Sequence, residues 1–209
     1  MRYRNPLLFF AACSVSHFRP FRSKPTDMHF LTPIFLLFLI LRPAMAQDAT
    51  TKPTTPPATA APADVVNVDA IMLAVYDVIS GPAGDRDWDR FRSLFTPDAR
   101  LIPVNVGQDG SVRPTYLTID NYVKNAGGYF RTNGFFEREI HRVTEEYGHM
   151  VHVFSTYESR HKADDAEPFS RGINSFQLMN DGNRWWVINI YWDSERPDQP
   201  IPAKYLPNN

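Results

Sequence analysis

The chain has 209 residues, 43% of them hydrophobic and 13% aromatic, with a formal net charge of −1. That supplies apolar material for one packed domain rather than two. The balance of 22 Lys+Arg against 23 Asp+Glu gives no basic surplus for nucleic acid, and a lone cysteine, Cys13, excludes a disulfide framework.

Phe30–Leu41 is an apolar run of signal-peptide length, too short to span a bilayer comfortably. Ala44-Met45-Ala46 then offers a small-x-small cleavage site ahead of Gln47. A leader and secretory signal over 1–46 is expected, so that the protein is exported, periplasmic or released, and keeps no membrane span after cleavage. Met28 gives the more ordinary start. The longer form supplies Arg2, Arg4, Arg19, Arg22 and Lys24 as a basic n-region. Six of the 22 Lys+Arg and one of the 23 Asp+Glu lie in 1–46, leaving 16 against 22 and a net charge of −6. Cys13 leaves with the leader, so the mature chain has no thiol chemistry. Residues 47–64 are Thr, Pro and Ala with little to bury, the composition of an extended tether. The folded domain is expected over 65–207.

Val66–Ser80 reads as the first helix, with Val68, Ile71, Met72, Val75 and Ile79 at helical spacing, Asn67 as N-cap and Gly81-Pro82 as stop. A second, shorter helix follows, capped by Asp85 or Asp87, with Trp88, Phe91 and Phe95 as its buried stripe. Leu101–Val106 is a short strand that Pro103 makes an edge strand or an irregular one. Residues 107–114 form a polar turn region. Thr118 caps a third helix with Ile119, Tyr122, Val123 and Ala126 inward, weakened at Gly127-Gly128 and closed by Asn133-Gly134.

Four strand-like runs come next: Phe135–Thr144, Met150–Lys162, Arg171–Met179 and Arg184–Trp192. A turn on Tyr147-Gly148 puts Arg138, Ile140 and Arg142 on one face with Val151, Val153, Ser155 and Tyr157. Glu137, Glu139, His141 and Val143 then share the opposite face with His152, Phe154 and Thr156. Asp181-Gly182 between the last two runs is a hairpin signal. A two-residue loop there sets Gln177 opposite Trp186, Ser175 opposite Ile188 and Arg171 opposite Trp192. Both faces are largely apolar, so both need cover. The Pro-rich tail runs extended, with Tyr205 and Leu206 docking on the surface.

Helices followed by strands give an α+β domain: one strongly curved antiparallel sheet with three N-terminal helices on its concave face, enclosing a cone-shaped cavity suited to a small ligand. The residues then suggest a family. Asp87-Trp88-Asp89-Arg90-Phe91-Arg92-Ser93-Leu94-Phe95 is followed by Thr96-Pro97-Asp98-Ala99. Further on come Val153-Phe154-Ser155-Thr156-Tyr157, Asp181-Gly182-Asn183-Arg184-Trp185-Trp186, and Trp192 ahead of Glu195-Arg196-Pro197. In order and spacing, over about residues 65–207, these resemble the nuclear transport factor 2-like superfamily, in its secreted SnoaL-like (polyketide-cyclase-like) and ketosteroid-isomerase-like branch. The resemblance implies the cone fold. It does not imply one reaction, because relatives include isomerases, dehydratases, cyclases and non-catalytic adaptors.

An isomerase-like site needs a carboxylate base beside a Tyr. In the register above Glu137 and Glu139 point away from Tyr157, so such a pair is not evident. Asp120 begins the third helix, where an acidic residue is ordinary helix-dipole chemistry. His141, with His152 and Glu139, falls short of a metal or acid–base set, so no metal and no cofactor are expected. No Gly-x-Ser-x-Gly elbow and no phosphate loop is present. The weak catalytic candidates are His141, Tyr157 and Asp120. The expected ligand-binding set is Trp88, Tyr122, Arg138, Tyr157, Arg171, Ser175, Gln177, Trp186 and Trp192. Three functions stay open: a secreted small-molecule-binding protein with an aromatic, Arg-containing pocket; a cofactor-independent isomerase, dehydratase or cyclase; and a non-catalytic dimerisation domain. A homodimer through the outer sheet face suits all three.

Overall fold

A computed structural model of the protein describes residues 59–207. The expected leader, signal peptide and most of the tether lie outside the described residues. The element order is α1 (Pro62–Val65), α2 (Val68–Ile79), α3 (Trp88–Ser93), β1 (Phe95–Val106), β2 (Val112–Pro114), α4 (Ile119–Thr132), β3 (Phe136–Tyr147), β4 (Met150–Arg160), β5 (Ser170–Asn180) and β6 (Trp185–Ser194), then a 3-10 turn over Ala203–Tyr205. The domain is α+β, with one curved, unclosed six-stranded sheet ordered β2-β1-β6-β5-β4-β3.

The helices start where side chains can satisfy their first free N–H groups. Asn67 accepts from Ala70 N, Asp87 from Arg90 N and Thr118 from Asn121 N. α2 turns Ile71, Met72, Val75, Tyr76 and Ile79 inward. It packs on β3 and β6, while α4 packs on β1. α4 continues through Gly127-Gly128, since Ala126, Gly127 and Phe130 are buried and tertiary packing offsets the weak glycine propensity. The core holds Phe91, Phe130, Phe135 and Phe176, each almost fully buried. Among the described residues no helix is long and apolar enough to cross a membrane.

Several expectations change. Folded structure begins before Val65, because α1 precedes it and Ala60 is buried. The strand expected at Leu101 begins at Phe95 and pairs in parallel with β6, so the sheet is not wholly antiparallel. β1 is not an edge either: residues expected in a turn form β2 against it.

The larger corrections concern register. Tyr147 pairs with Met150 around Gly148-His149, and near the turn the expected faces hold, with Arg142 opposite Ser155 and Val143 opposite Phe154. At Ile140 the ladder slips by one residue. His141 still faces Thr156, but Glu139 now faces Tyr157, Glu137 faces Ser159 and Arg138 faces Glu158. Because side chains alternate with period two, this bulge carries Glu137 and Glu139 to the face of Tyr157.

The last hairpin is not closed by a two-residue turn. Asn180 pairs with Trp185, and the loop spans residues 181–184. The Asp181 carboxylate accepts from the backbone N–H groups of Asn183 and Arg184 and from Trp186 Nε1, and these bonds hold the wider loop. A second slip, past Gln177-Leu178, sets Phe176 opposite Ile190 and Asn174 opposite Trp192. Arg171 therefore does not face Trp192. Its carbonyl accepts from Glu195 N and its side chain pairs with the Glu195 carboxylate at 2.8 Å.

Candidate functional site

The two slips together build a cavity of about 110 Å3 between the helices and the inner sheet face. α2 contributes Val75, Tyr76 and Ile79, and α4 contributes Tyr122 and Ala126. The strands add Glu137, Tyr157, Ser159, Asn174, Phe176 and Trp192. Tyr122 is stacked on Phe91 with ring centres 5.3 Å apart, and the Tyr76 ring meets Phe176 edge-on at 6.0 Å.

Among the described residues Glu137 is the one carboxyl in this wall. Its backbone is pinned to the end of α2, where Ser80 Oγ accepts from Glu137 N at 2.9 Å and donates to Glu137 O at 3.1 Å. Its Oε2 accepts from Ser159 Oγ at 2.8 Å. The cavity encloses its carboxyl among aromatic and aliphatic groups, and this burial pushes it up to about 7, with hydrogen bonds from Ser159 and Asn174 pulling the other way. Burial also raises the phenols of Tyr76, Tyr122 and Tyr157, and the Glu137 charge raises all three further. The three hydroxyls thus lie within the field of one carboxyl.

A buried string of hydrogen bonds leaves the cavity floor. Asn174 Nδ2 donates to Tyr76 Oη at 3.1 Å, and Tyr76 Oη meets Ser155 Oγ at 2.8 Å. Ser155 Oγ donates to Glu139 Oε2. Glu139 is held by Arg142 Nε at 2.5 Å, and Arg142 reaches Asp69 at the start of α2 at 2.7 Å.

Of the residues expected to bind ligand, Tyr122, Tyr157 and Trp192 line the cavity. The others are elsewhere. Trp88 is stacked on Phe130 at 6.0 Å and edge-on to Phe91, as part of the packed core. Arg138 is on the outer face, 70% exposed and paired with Glu158, while Arg171 is spent on Glu195. Gln177 projects from the same outer face as Ser175, beside Ser175's partner His152. Trp186 lies under the Arg184 guanidinium at 3.6 Å. Among the catalytic candidates, Asp120 is exposed and paired with Arg92 at 3.0 Å. His141 faces outward beside Thr156, its Nδ1 buried without a hydrogen bond.

The outer face also aligns Ser175, His152 and Glu145. His152 Nε2 is 2.9 Å from Ser175 Oγ, and Nδ1 is 3.6 Å from Glu145. These strands engage their backbone N–H groups in the ladder, and the row is a polar surface triplet in which only the His152–Ser175 contact is a hydrogen bond. No group of three or more His, Cys, Asp or Glu among the described residues is placed to hold a metal ion.

Glu137 is the residue that strict alternation missed. The signal available was a cost: unbroken alternation buries Arg138 beside Tyr157, and an inward guanidinium there asks for a break in register. Gly172 shows how tightly the site is closed. A Cβ there meets Asp193 O at 2.4 Å and Tyr157 Oη at 2.6 Å. Gly172→Ala is therefore expected to lower stability by about 1–3 kcal/mol and to displace the Tyr157 ring. A urea midpoint equal to that of the native protein would contradict this close approach.

The molecule is thus an α+β cone whose cavity, among the described residues, is lined by the Glu137 carboxyl and three phenols. No family model matches the chain, and no curated protein matches it. Solved structures do resemble it. A protein of unknown function with a cystatin-like fold from Nostoc punctiforme aligns over 63% of this chain and 91% of its own, at 8% identity and a TM-score of 0.49. A nuclear transport factor 2-like protein of unknown function from Silicibacter pomeroyi aligns over 62% and 94%, at 9% identity and a TM-score of 0.44. Another such protein, from Shewanella baltica, aligns over 60% and 91%, at 12% identity and a TM-score of 0.38. The likeness is one of fold.

Proposed function

We propose that the protein binds a small molecule in this cavity, held by aromatic surface and oriented by Glu137, Asn174 and Ser159. The observation that carries the reading is the convergence of one carboxyl and three phenols on a single apolar cavity. Concave, mostly apolar sites with a few convergent polar groups are where small ligands are bound. The Arg-lined version of the pocket is set aside, because Arg138 and Arg171 lie outside it.

A second reading, a cofactor-independent enzyme, is favoured by the value near 7 at Glu137, which suits a group that takes and returns a proton at neutral pH. Export behind a signal peptide and pairing of two copies through the outer face belong to the same proposal. The exposed Val143, Tyr147, Met150 and Tyr191 support the pairing.

Native mass spectrometry of the protein from its natural compartment tests the binding reading. A small molecule is expected to co-purify, to be lost in Trp192→Ala and to be kept in Arg171→Ala. Retention in the first variant, or loss in the second, moves the site away from the cavity.

A further inference from the structure

The cavity is electrically one-sided. Among the described residues Glu137 is the only lining residue with a formal charge, and no Arg, Lys or His is in the lining. The guanidiniums on the surrounding strands are engaged outside it: Arg138 and Arg160 by Glu158, Arg142 by Glu139 and Asp69, and Arg171 by Glu195. What surrounds the carboxyl is hydroxyl, amide and ring: Ser159 and Asn174 as donors, with the rings of Tyr76, Tyr122, Tyr157 and Trp192 in the wall.

A cation in such a space is attracted twice, by the carboxylate and by the negative faces of the rings. An anion meets a like charge there, and no lining cation offsets its loss of water. A neutral polar molecule gains hydrogen bonds but leaves the carboxylate without a counter-charge.

We propose that the ligand is a small cation, a protonated amine or quaternary ammonium on an apolar body, seated with its charge at Glu137 and its body against Tyr157 and Trp192. This rests on the reading of the cavity as a ligand site and names the ligand's class. The volume sets the size. The 110 Å3 here is smaller than the apolar cavity of about 150 Å3 that admits benzene, so the body enclosed is at most about one ring or a short branched chain. The carboxylate form is the one that binds, and it is populated above the value near 7 that burial imposes.

The test uses three probes of one size and different charge, benzylamine, benzyl alcohol and benzoate, titrated calorimetrically into the full chain at about pH 8. Benzylamine is expected to bind roughly tenfold or more tighter than benzyl alcohol, and benzoate not detectably. Glu137→Gln is expected to abolish the preference for the amine while leaving the affinity for benzyl alcohol in place. Equal binding of amine and alcohol by the native protein, or an amine preference that survives Glu137→Gln, overturns the cation and leaves the cavity as a ligand site. Failure of all three probes to bind overturns the cavity reading along with it.

Discussion

Glu137→Gln is expected to remove a pH dependence that the native protein carries between about pH 4.5 and 7. The carboxyl has an ordinary value of 4.5 and is raised to about 7 in the fold. A group raised on folding favours the folded state fully below its unfolded value, and that advantage drains away as pH climbs through the folded value. Each unit corresponds to about 1.4 kcal/mol, so the native protein should lose about 3 kcal/mol relative to the Gln variant across this window. Gln keeps the shape and the acceptor for Ser159 but has nothing to ionise. Urea unfolding of both proteins at about pH 4 and about pH 8 measures the difference. Two curves that stay parallel over that range would show that Glu137 is hydrated in the fold and that the cavity does not enclose it.

Phe130→Ala should lower stability by about 3–5 kcal/mol. Phe130 is fully buried. Its ring is stacked on Trp88 at 6.0 Å, lies 4.9 Å from Phe135 and carries the Arg86 guanidinium over its face at 5.0 Å. The Arg86 side chain donates to the carbonyls of Ile79, Gly81, Pro82 and Gly84, tying down the turn after α2. Removing the ring leaves a void that rigid neighbours cannot fill and loosens this turn as well. Thermal unfolding followed by circular dichroism reads the change. A shift no larger than that of a surface substitution would mean that the aromatic layer between α3 and α4 repacks freely.

The helices were legible because their evidence is local. Asn67, Asp87 and Thr118 cap the helices that their side chains can reach, and the apolar spacing of Ile71, Met72, Val75 and Ile79 marks the buried side of α2. The existence of four long strands was legible for the same reason. Their pairing was not. Asp181-Gly182 suggests a tight turn, but Asp181 uses its carboxylate to hold a wider loop, and nothing in a short window distinguishes the two outcomes. The slips at Ile140 and past Leu178 depend on how three strands and two helices fit together. The faces of Tyr122 on α4 and Tyr157 on β4 do not depend on those slips, and both residues line the cavity. Glu137 and Arg138 lie beyond the slip at Ile140, which exchanges their faces, whereas Arg171 lies on the outer face of β5 with Ser175 and Gln177. Trp192 reached the cavity by a route that the expected register did not contain.

The bulge at Ile140 has a consequence for how this protein could change over generations. In β3, Glu137, Arg138 and Glu139 alternate in sign along the strand, and the slip decides which sign faces inward. A length change of a single codon between Glu137 and Glu139 would leave the sheet and the helices recognisable while exchanging the carboxyl at the cavity floor for another residue and taking Arg138 from Glu158. Substitution must rebuild a binding chemistry one side chain at a time. Here an insertion or deletion can do it in one step, so the length of this strand sorts divergent relatives of this chain as readily as the identity of its residues.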